Sequence, residues 1–321
     1  MRPRIAVTDD WQGIARASAD WTALEACADI TVFRDAFPDE DTAAAALAPF
    51  DIIMSMRERT PFPASLIARL PRLRMLSVTG PRNRSVDRAA LAARGIVVTR
   101  TDAGEDGSAT AELALALMLA AARKVAAGDA AIRSGGFQGA IPPGFTLRGR
   151  TLGLIGLGRL GTLMAGYGQA LGMRLLAWSP NLTPARAAAA GAIWAAKEEL
   201  LAAADVVSLH MVLAQGTVGI IGARELGLMR PGAILVNTSR GPLVEEGALL
   251  EALAARRIVA GIDVYDQEPL PADHPLRTAP NTVLTPHLGY CVQENFAVFY
   301  QQSIENVLAF LDGAPIRPLT A

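Results

Sequence analysis

Short apolar runs alternate with longer stretches of helical periodicity along most of the chain. That rhythm admits few architectures other than parallel strands joined by crossover helices. Ile5–Thr8, Ile30–Phe33, Asp51–Ser55, Met75–Val78 and Ile96–Thr99 read as five strands, with Ala64–Leu70 and Arg88–Arg94 among the helices between them. After the polar stretch Thr101–Gly107 comes an alanine- and leucine-rich helix from Ala109 to about Ala127, and then a Gly/Pro-rich surface passage, Ser134–Gly149. Six more strands follow at Thr151–Gly156, Arg174–Trp178, Val206–His210, Ala233–Thr238, Ala260–Val264 and Thr282–Thr285, and Glu294–Leu311 closes the chain as a helix. Six strands with intervening helices match a full dinucleotide-binding domain. A length of 321 residues agrees with two domains at roughly 150 residues each.

Composition narrows the partners. Thirty basic against thirty-one acidic residues leave a net charge of −1, so no global attraction to nucleic acid or an anionic membrane follows. Cys27 and Cys291 are the two cysteines, too few for a disulfide framework or a cysteine-rich metal site, and no metal is expected. The N-terminus has acids where a signal peptide needs an apolar run. The longest apolar stretch, Ala109–Ala122, contains Glu112 and is too short to span a bilayer. A soluble, cytoplasmic protein is the expectation.

Gly156-Leu157-Gly158-Arg159-Leu160-Gly161 directly follows the apolar run Leu152–Ile155 and opens a helical pattern. With 29 glycines in the chain the hexapeptide alone says little. Its place at a strand-to-helix junction gives it meaning. Gly156 would permit a tight turn, Gly158 would let backbone approach a pyrophosphate, and Gly161 would allow close helix packing. The phosphates would rest on the free N–H groups of the helix N-terminus. At the end of the next strand, where an acid would bind the ribose 2′-hydroxyl of NAD, stands Trp178-Ser179-Pro180-Asn181, and no acid occurs between Gly161 and Lys197. Ser179, Asn181 and Thr183 can hydrogen-bond there, and Arg186 is near in sequence. Loss of the carboxylate removes repulsion of a 2′-phosphate, so NADP(H) is favoured, with NAD(H) open as the cofactor of a relaxed site.

Three ionisable residues fall just beyond strand ends: Arg240 in Asn237–Gly241, Glu268 in Asp266–Pro269 and His287 in Thr285–Gly289. Ligands of open α/β sheets bind at the carboxyl ends of strands. Histidine is the natural proton donor to an alkoxide formed by hydride transfer. A neighbouring carboxylate would favour and orient the imidazolium, and an arginine can grip a substrate carboxylate with two parallel donors. Singly, each residue also suits a structural role; the shared placement is what joins them.

With these motifs in this order, the chain resembles the D-isomer-specific 2-hydroxyacid dehydrogenases over nearly its whole length. Gly156–Gly161 is similar to that family's cofactor loop, and Leu209-His210 with Thr217 to its next cofactor-side segment. Met229–Ala233 leading into Asn237-Thr238-Ser239-Arg240-Gly241 resembles the segment with the catalytic arginine. Gly261–Val264 with Glu268-Pro269-Leu270 resembles that with the catalytic glutamate, and Thr285-Pro286-His287 that with the catalytic histidine. The resemblance implies that Arg240 binds the substrate carboxylate and keto oxygen, that Glu268 pairs with His287, and that His287 protonates the carbonyl oxygen. It also implies that Asp263 hydrogen-bonds the nicotinamide carboxamide and that Thr238 lies on the cofactor side with Arg159 and Leu160. The fold it implies is α/β, two Rossmann-like or flavodoxin-like parallel-sheet domains with a cleft between them. The cofactor domain, 103–289, is inserted into a substrate domain of 1–102 plus 290–321, and the protein is a homodimer whose cleft closes near the helix after Ala109.

One departure touches the substrate. The family's glycine-rich carboxylate-binding loop corresponds to Gly80-Pro81-Arg82-Asn83-Arg84-Ser85-Val86-Asp87, where Pro81 has no N–H to offer and Arg82 replaces a glycine. Gly80, Arg82 and Arg57 are therefore the candidate substrate contacts, with a solvated surface as the alternative for the arginines. The function expected is reduction of a small 2-oxo acid, of glyoxylate or hydroxypyruvate size, to the D-2-hydroxy acid. Reduction of a 2-imino acid to a D-amino acid, or nucleotide sensing on the same fold, are the alternatives. A formate dehydrogenase is disfavoured, because that related class has glutamine at the position of Glu268.

Overall fold

The computed structural model describes residues 2–104 and 106–319. The chain divides into two compact units, Met1–Asp106 with Cys291–Ala321, and Gly107–Tyr290. The first holds β1 (Arg4–Val7), β2 (Asp29–Val32), β3 (Ile52–Ser55), β4 (Met75–Val78) and β5 (Val97–Arg100), all parallel in the order β2-β1-β3-β4-β5. That is the flavodoxin-like winding. β3 and β4 are buried throughout, as parallel strands covered on both faces must be. Ile53, Leu76 and Val78 pack with Leu66, Ile67 and Leu70. The final helix, Gln293–Leu311, lies against β4 and buries Phe296, Phe299, Ile304 and Val307.

The second unit holds β6 (Thr151–Ile155), β7 (Arg174–Trp178), β8 (Ile193–Trp194), β9 (Val206–Leu209), β10 (Ile234–Asn237), β11 (Val259–Ile262) and β12 (Thr282–Leu284). They form one parallel sheet in the order β12-β11-β10-β9-β6-β7-β8. Neighbouring residues of a strand serve opposite cores, as the two-residue period demands. Val207 and Leu235 pack with Leu200, Leu226 and Leu253 on one face, whereas Val206, Ile234 and Val236 pack with Ala114, Met118 and Met164 on the other. The helix Ser108–Arg123 lies on this second face, close enough that a Cβ on Gly261 would stand 3.0 Å from Leu117 Cβ.

Two features differ from the sequence reading. The sheet has seven strands rather than six, because the two-residue β8 adds an edge beside β7. The long helix stops at Arg123, where Lys124 adopts φ +57°, and a separate helix, Val125–Arg133, follows with none of its residues buried. A left-handed lysine breaks the i→i−4 ladder without the glycine or proline that announces such a break in a sequence. Among the described residues no helix is long and apolar enough to cross a membrane.

Candidate active site

In the Gly107–Tyr290 unit the sheet order reverses between β6 and β9, and the crevice at such a switch point is where open α/β sheets bind ligands. Gly156 follows β6 directly. Its φ is +99°, and a Cβ there would lie 2.5 Å from His210 O. Gly161 faces back onto the same turn, with a Cβ placed 2.1 Å from Gly156 O. Gly158 precedes the helix Arg159–Ala170, and a Cβ on it would meet nothing within 4 Å. Two of the glycines are thus required by the protein's own packing, while the third leaves open space at a helix N-terminus. Arg159 is exposed there and Leu160 is half-buried.

Buried polar atoms gather at the same strand ends. Thr238 Oγ1, in a residue only 5% exposed, and His210 Nδ1 have no hydrogen-bond partner among the described residues, a condition that a bound polar group would relieve. His210 Nε2 lies 2.9 Å from Ser208 Oγ. Burial pulls the His210 imidazole down to about 4, so the ring is neutral at physiological pH. Ser179 follows β7 and Asn181 is exposed. Thr183 and Thr217 are engaged locally: Thr183 Oγ1 accepts from Arg186 N as a helix cap, and Thr217 Oγ1 donates to Val212 O. The glycine cradle, the orphaned atoms and the helix N-terminus together fit a dinucleotide.

Glu268 and His287 meet at the ends of β11 and β12. His287 Nδ1 is 2.5 Å from Glu268 Oε2, and Glu268 Oε1 accepts the Tyr265 N–H at 2.9 Å. Burial pushes the Glu268 carboxyl up, but the bond and charge of His287, the Tyr265 N–H and the charge of Arg240 outweigh it, so its pKa lies below the usual 4.5. Arg240 follows β10 in a turn tied by Asn237, whose Nδ2 donates to Arg240 O while its Oδ1 accepts from Ser239 N. His287 itself has φ +55°, a conformation costly for a non-glycine residue. The structure holds it there: His287 N donates to Asp263 O at 2.8 Å, and the ring meets Tyr290 edge-on.

Asp263 also has a role within the protein. Its side chain is fully buried, Oδ1 accepts from Thr285 Oγ1 and Leu288 N at 2.7 Å each, and Oδ2 accepts from Gly289 N at 3.0 Å. Both oxygens clamp the loop that carries His287. Burial nevertheless lifts its carboxyl above the ordinary 3.8, against the pull of Thr285, the Leu288 N–H and His287. Asn237, Tyr265 and Thr285, none of them singled out in the sequence, are the other supports. The only sequence signal for them is adjacency to Arg240, Glu268 and His287.

In the other unit Gly80 and Arg57 come together. Gly80 has φ +84°, and a Cβ on it would overlap Arg57 Nη1 at 1.8 Å. The Gly80 N–H is donated to Thr101 Oγ1 at 2.8 Å, which ties the end of β4 to the end of β5. Asn83 Nδ2 donates to Arg57 O, and Arg82 is exposed.

A flavodoxin-like sheet, a Rossmann-type sheet and a carboxylate–imidazole pair beside an arginine define a dinucleotide-binding α/β protein. Comparison with known proteins sharpens this. The sequence profile described as "D-isomer specific 2-hydroxyacid dehydrogenase, NAD binding domain" matches residues 115–289. A glyoxylate reductase of Korarchaeum cryptofilum is 33% identical over 321 residues, 98% of this chain and 94% of that one. A D-3-phosphoglycerate dehydrogenase of Mycobacterium bovis is 38% identical over 258 residues, 80% of this chain but 48% of its own length. This chain thus spans about half of such phosphoglycerate dehydrogenases. A phosphoglycerate oxidoreductase from Vibrio cholerae superposes with a TM-score of 0.91 at 37% identity, covering 97% of this chain and 100% of that one. The chain belongs to the D-isomer specific 2-hydroxyacid dehydrogenase family.

Proposed function

We propose that the chain is an NAD(P)H-dependent reductase that converts a small 2-oxo acid to the D-2-hydroxy acid. The observation that carries this reading is the 2.5 Å contact between His287 Nδ1 and Glu268 Oε2, with the charge of Arg240 acting on the same carboxylate. When bound, the nicotinamide supplies hydride to the substrate's carbonyl carbon. Arg240 holds the substrate carboxylate through two parallel N–H donors and draws electron density towards the keto oxygen. His287 delivers a proton from Nε2 to the alkoxide oxygen, and Glu268 stabilises the imidazolium at Nδ1. Asp263 fixes the loop that presents the ring. The similarity to the glyoxylate reductase of Korarchaeum cryptofilum favours a substrate of glyoxylate or hydroxypyruvate size.

The unit Gly107–Tyr290 carries the cofactor under this reading and the other unit the substrate contacts, Arg57 and Arg82 among them. Ser179, in place of an acid at the end of β7, favours NADP(H) over NAD(H). Among the described residues Cys27 and Cys291 are not joined in a disulfide, which suits a reducing cytoplasm. The exposed helix Val125–Arg133 is the face for a homodimer.

Oxidation of NADPH and of NADH is followed with a panel of 2-oxo acids, with and without ammonia. Turnover without amine and a higher kcat/KM for NADPH are expected. Ser179→Asp lowers the NADPH/NADH preference about tenfold, the worth of one charge-assisted hydrogen bond. Turnover only with amine transfers the reading to imine reduction. Cofactor binding without any turnover leaves a nucleotide-sensing protein.

A further inference from the structure

The loop bearing Glu268 is tied to the segment bearing Arg240 at two points outside the Arg240, Glu268 and His287 set. The first is steric. A Cβ on Gly241 would lie 2.2 Å from the Tyr265 carbonyl carbon and 2.5 Å from Asp266 N, so only glycine lets the backbone after Arg240 lie directly on Tyr265–Asp266. The second is polar: His274 Nε2 stands 3.1 Å from Glu246 Oε1. Glu246 opens the helix Glu246–Ala254, which the single turn Gly241–Leu243 separates from Arg240.

The donor in that second contact follows from its surroundings. His274 Nδ1 accepts the Leu276 N–H at 3.2 Å, capping the turn Pro275–Thr278. An accepting Nδ1 leaves the ring hydrogen on Nε2, which donates to Glu246. Asp266 lies between the segments; burial and the charge of Glu246 push its carboxyl up, and His274 opposes them. Residues of both segments, Asn237, Gly241, Tyr265, Asp266 and Glu246 among them, line a small cavity of about 20 Å³.

Apolar packing anchors the two ends of this loop to the helix: Tyr265 and Leu276 share a core with Ala248, Leu249 and Leu253, and Leu270 packs against it. Between those anchors Gln267, Pro269, Ala272 and Asp273 are exposed. Arg277 donates to Pro271 O and Leu270 O, which ties the loop to itself. The exposed stretch keeps its geometry through its polar links.

We infer that His274 and Glu246 form a positioning pair whose bond sets the spacing between Arg240 and the Glu268–His287 pair. The inference rests on the proposed catalytic reading of those three residues. Neither member of the pair touches substrate; both act through the loops they join.

Two substitutions separate the two nitrogens of His274. In His274→Asn the amide oxygen can take the place of Nδ1 and keep the Leu276 cap, but nothing reaches Glu246. In His274→Gln the amide nitrogen takes the place of Nε2 and keeps Glu246. Measured for each are kcat and KM for a 2-oxo acid, cofactor Kd, thermal midpoint and hydrogen exchange at the Tyr265 amide. For His274→Asn, kcat is expected to fall about tenfold, the cost of sub-ångström misplacement, while cofactor Kd holds and the Tyr265 amide exchanges faster. His274→Gln restores kcat to within about threefold of wild type. Wild-type kcat and Tyr265 protection in His274→Asn overturn the inference, as does equal impairment of both variants. Should His274→Asn fail to fold, Glu246→Ala breaks the same bond without touching the turn and is held to the same outcomes. A wild-type protein that turns over no 2-oxo acid defeats the functional reading alone, because exchange at Tyr265 still tests the pair.

Discussion

Glu268 sits under opposed influences, and their balance has a sign that stability measurements can read. Burial favours its neutral form, yet the His287 bond and charge, the Tyr265 N–H and Arg240 leave the folded pKa below 4.5. Between that depressed value and the unfolded value the unfolded chain binds more protons, so stability rises with pH through the window. The contribution is fully present above about pH 4.5 and is lost as pH falls through the folded value. Glu268→Gln removes the titrating group, so its stability deficit against wild type should shrink as urea unfolding is repeated from pH 6 towards pH 3. A deficit independent of pH would mean that the charge is not what the site stabilises. Arg240→Lys addresses the neighbouring group. A point charge replaces the planar fork, and kcat/KM should drop roughly 10- to 100-fold, the worth of a charged hydrogen bond, with the thermal midpoint nearly unchanged. Wild-type kinetics in that variant would remove Arg240 from substrate binding.

At the scale of the strand–turn–helix element, the three glycines of the turn after β6 divide into two kinds. Gly161→Ala drives a Cβ into Gly156 O, where 2.1 Å is all that separates them, and should cost about 1–3 kcal/mol as an overpacked contact. Gly158→Ala meets no protein atom within 4 Å, so the thermal midpoint should hold while dinucleotide affinity, followed by fluorescence titration, falls. Equal loss of stability in the two variants would contradict the division. Most strands were legible in the sequence because their apolar runs end at turn residues. Met75–Val78 and Arg174–Trp178 coincide with the strands observed. β8 was not, since Ile193–Trp194 is a two-residue edge flanked by alanine and glycine, too short for any periodicity. The break at Lys124 was hidden because nothing in the alanine-rich run marks a left-handed residue. Arg240, Glu268 and His287 could be picked out because strand-end loops are where such folds do chemistry. The tie at Gly80 could not: the Thr101 hydroxyl that takes its N–H lies 21 residues away, just past the next strand, and only the sheet register brings it there.

The homodimer we propose has a candidate contact surface among the exposed apolar residues around the helix Val125–Arg133. On the helix Val125–Arg133, Val125 is 55% and Ile132 60% exposed, and Phe137 just beyond is 72% exposed. Val125 and Ile132 are seven residues apart, two helical turns, and so share one face. The Asp129–Arg133 ion pair lies alongside them on the same helix, an ordinary solvated arrangement. Single exposed apolar residues need no explanation, but a cluster of large ones on an otherwise unburied helix marks an interaction surface. A symmetric dimer would bury the same patch on both copies, so one substitution acts twice in each interface. Ile132→Asp combined with Phe137→Asp should therefore halve the mass measured by light scattering while leaving the circular dichroism spectrum unchanged, because neither side chain contributes to a core. A wild-type protein that stays monomeric across the accessible concentration range would rule out this use of the helix. Conversely, a doubly substituted protein that keeps the wild-type mass would place the dimer contact on another face.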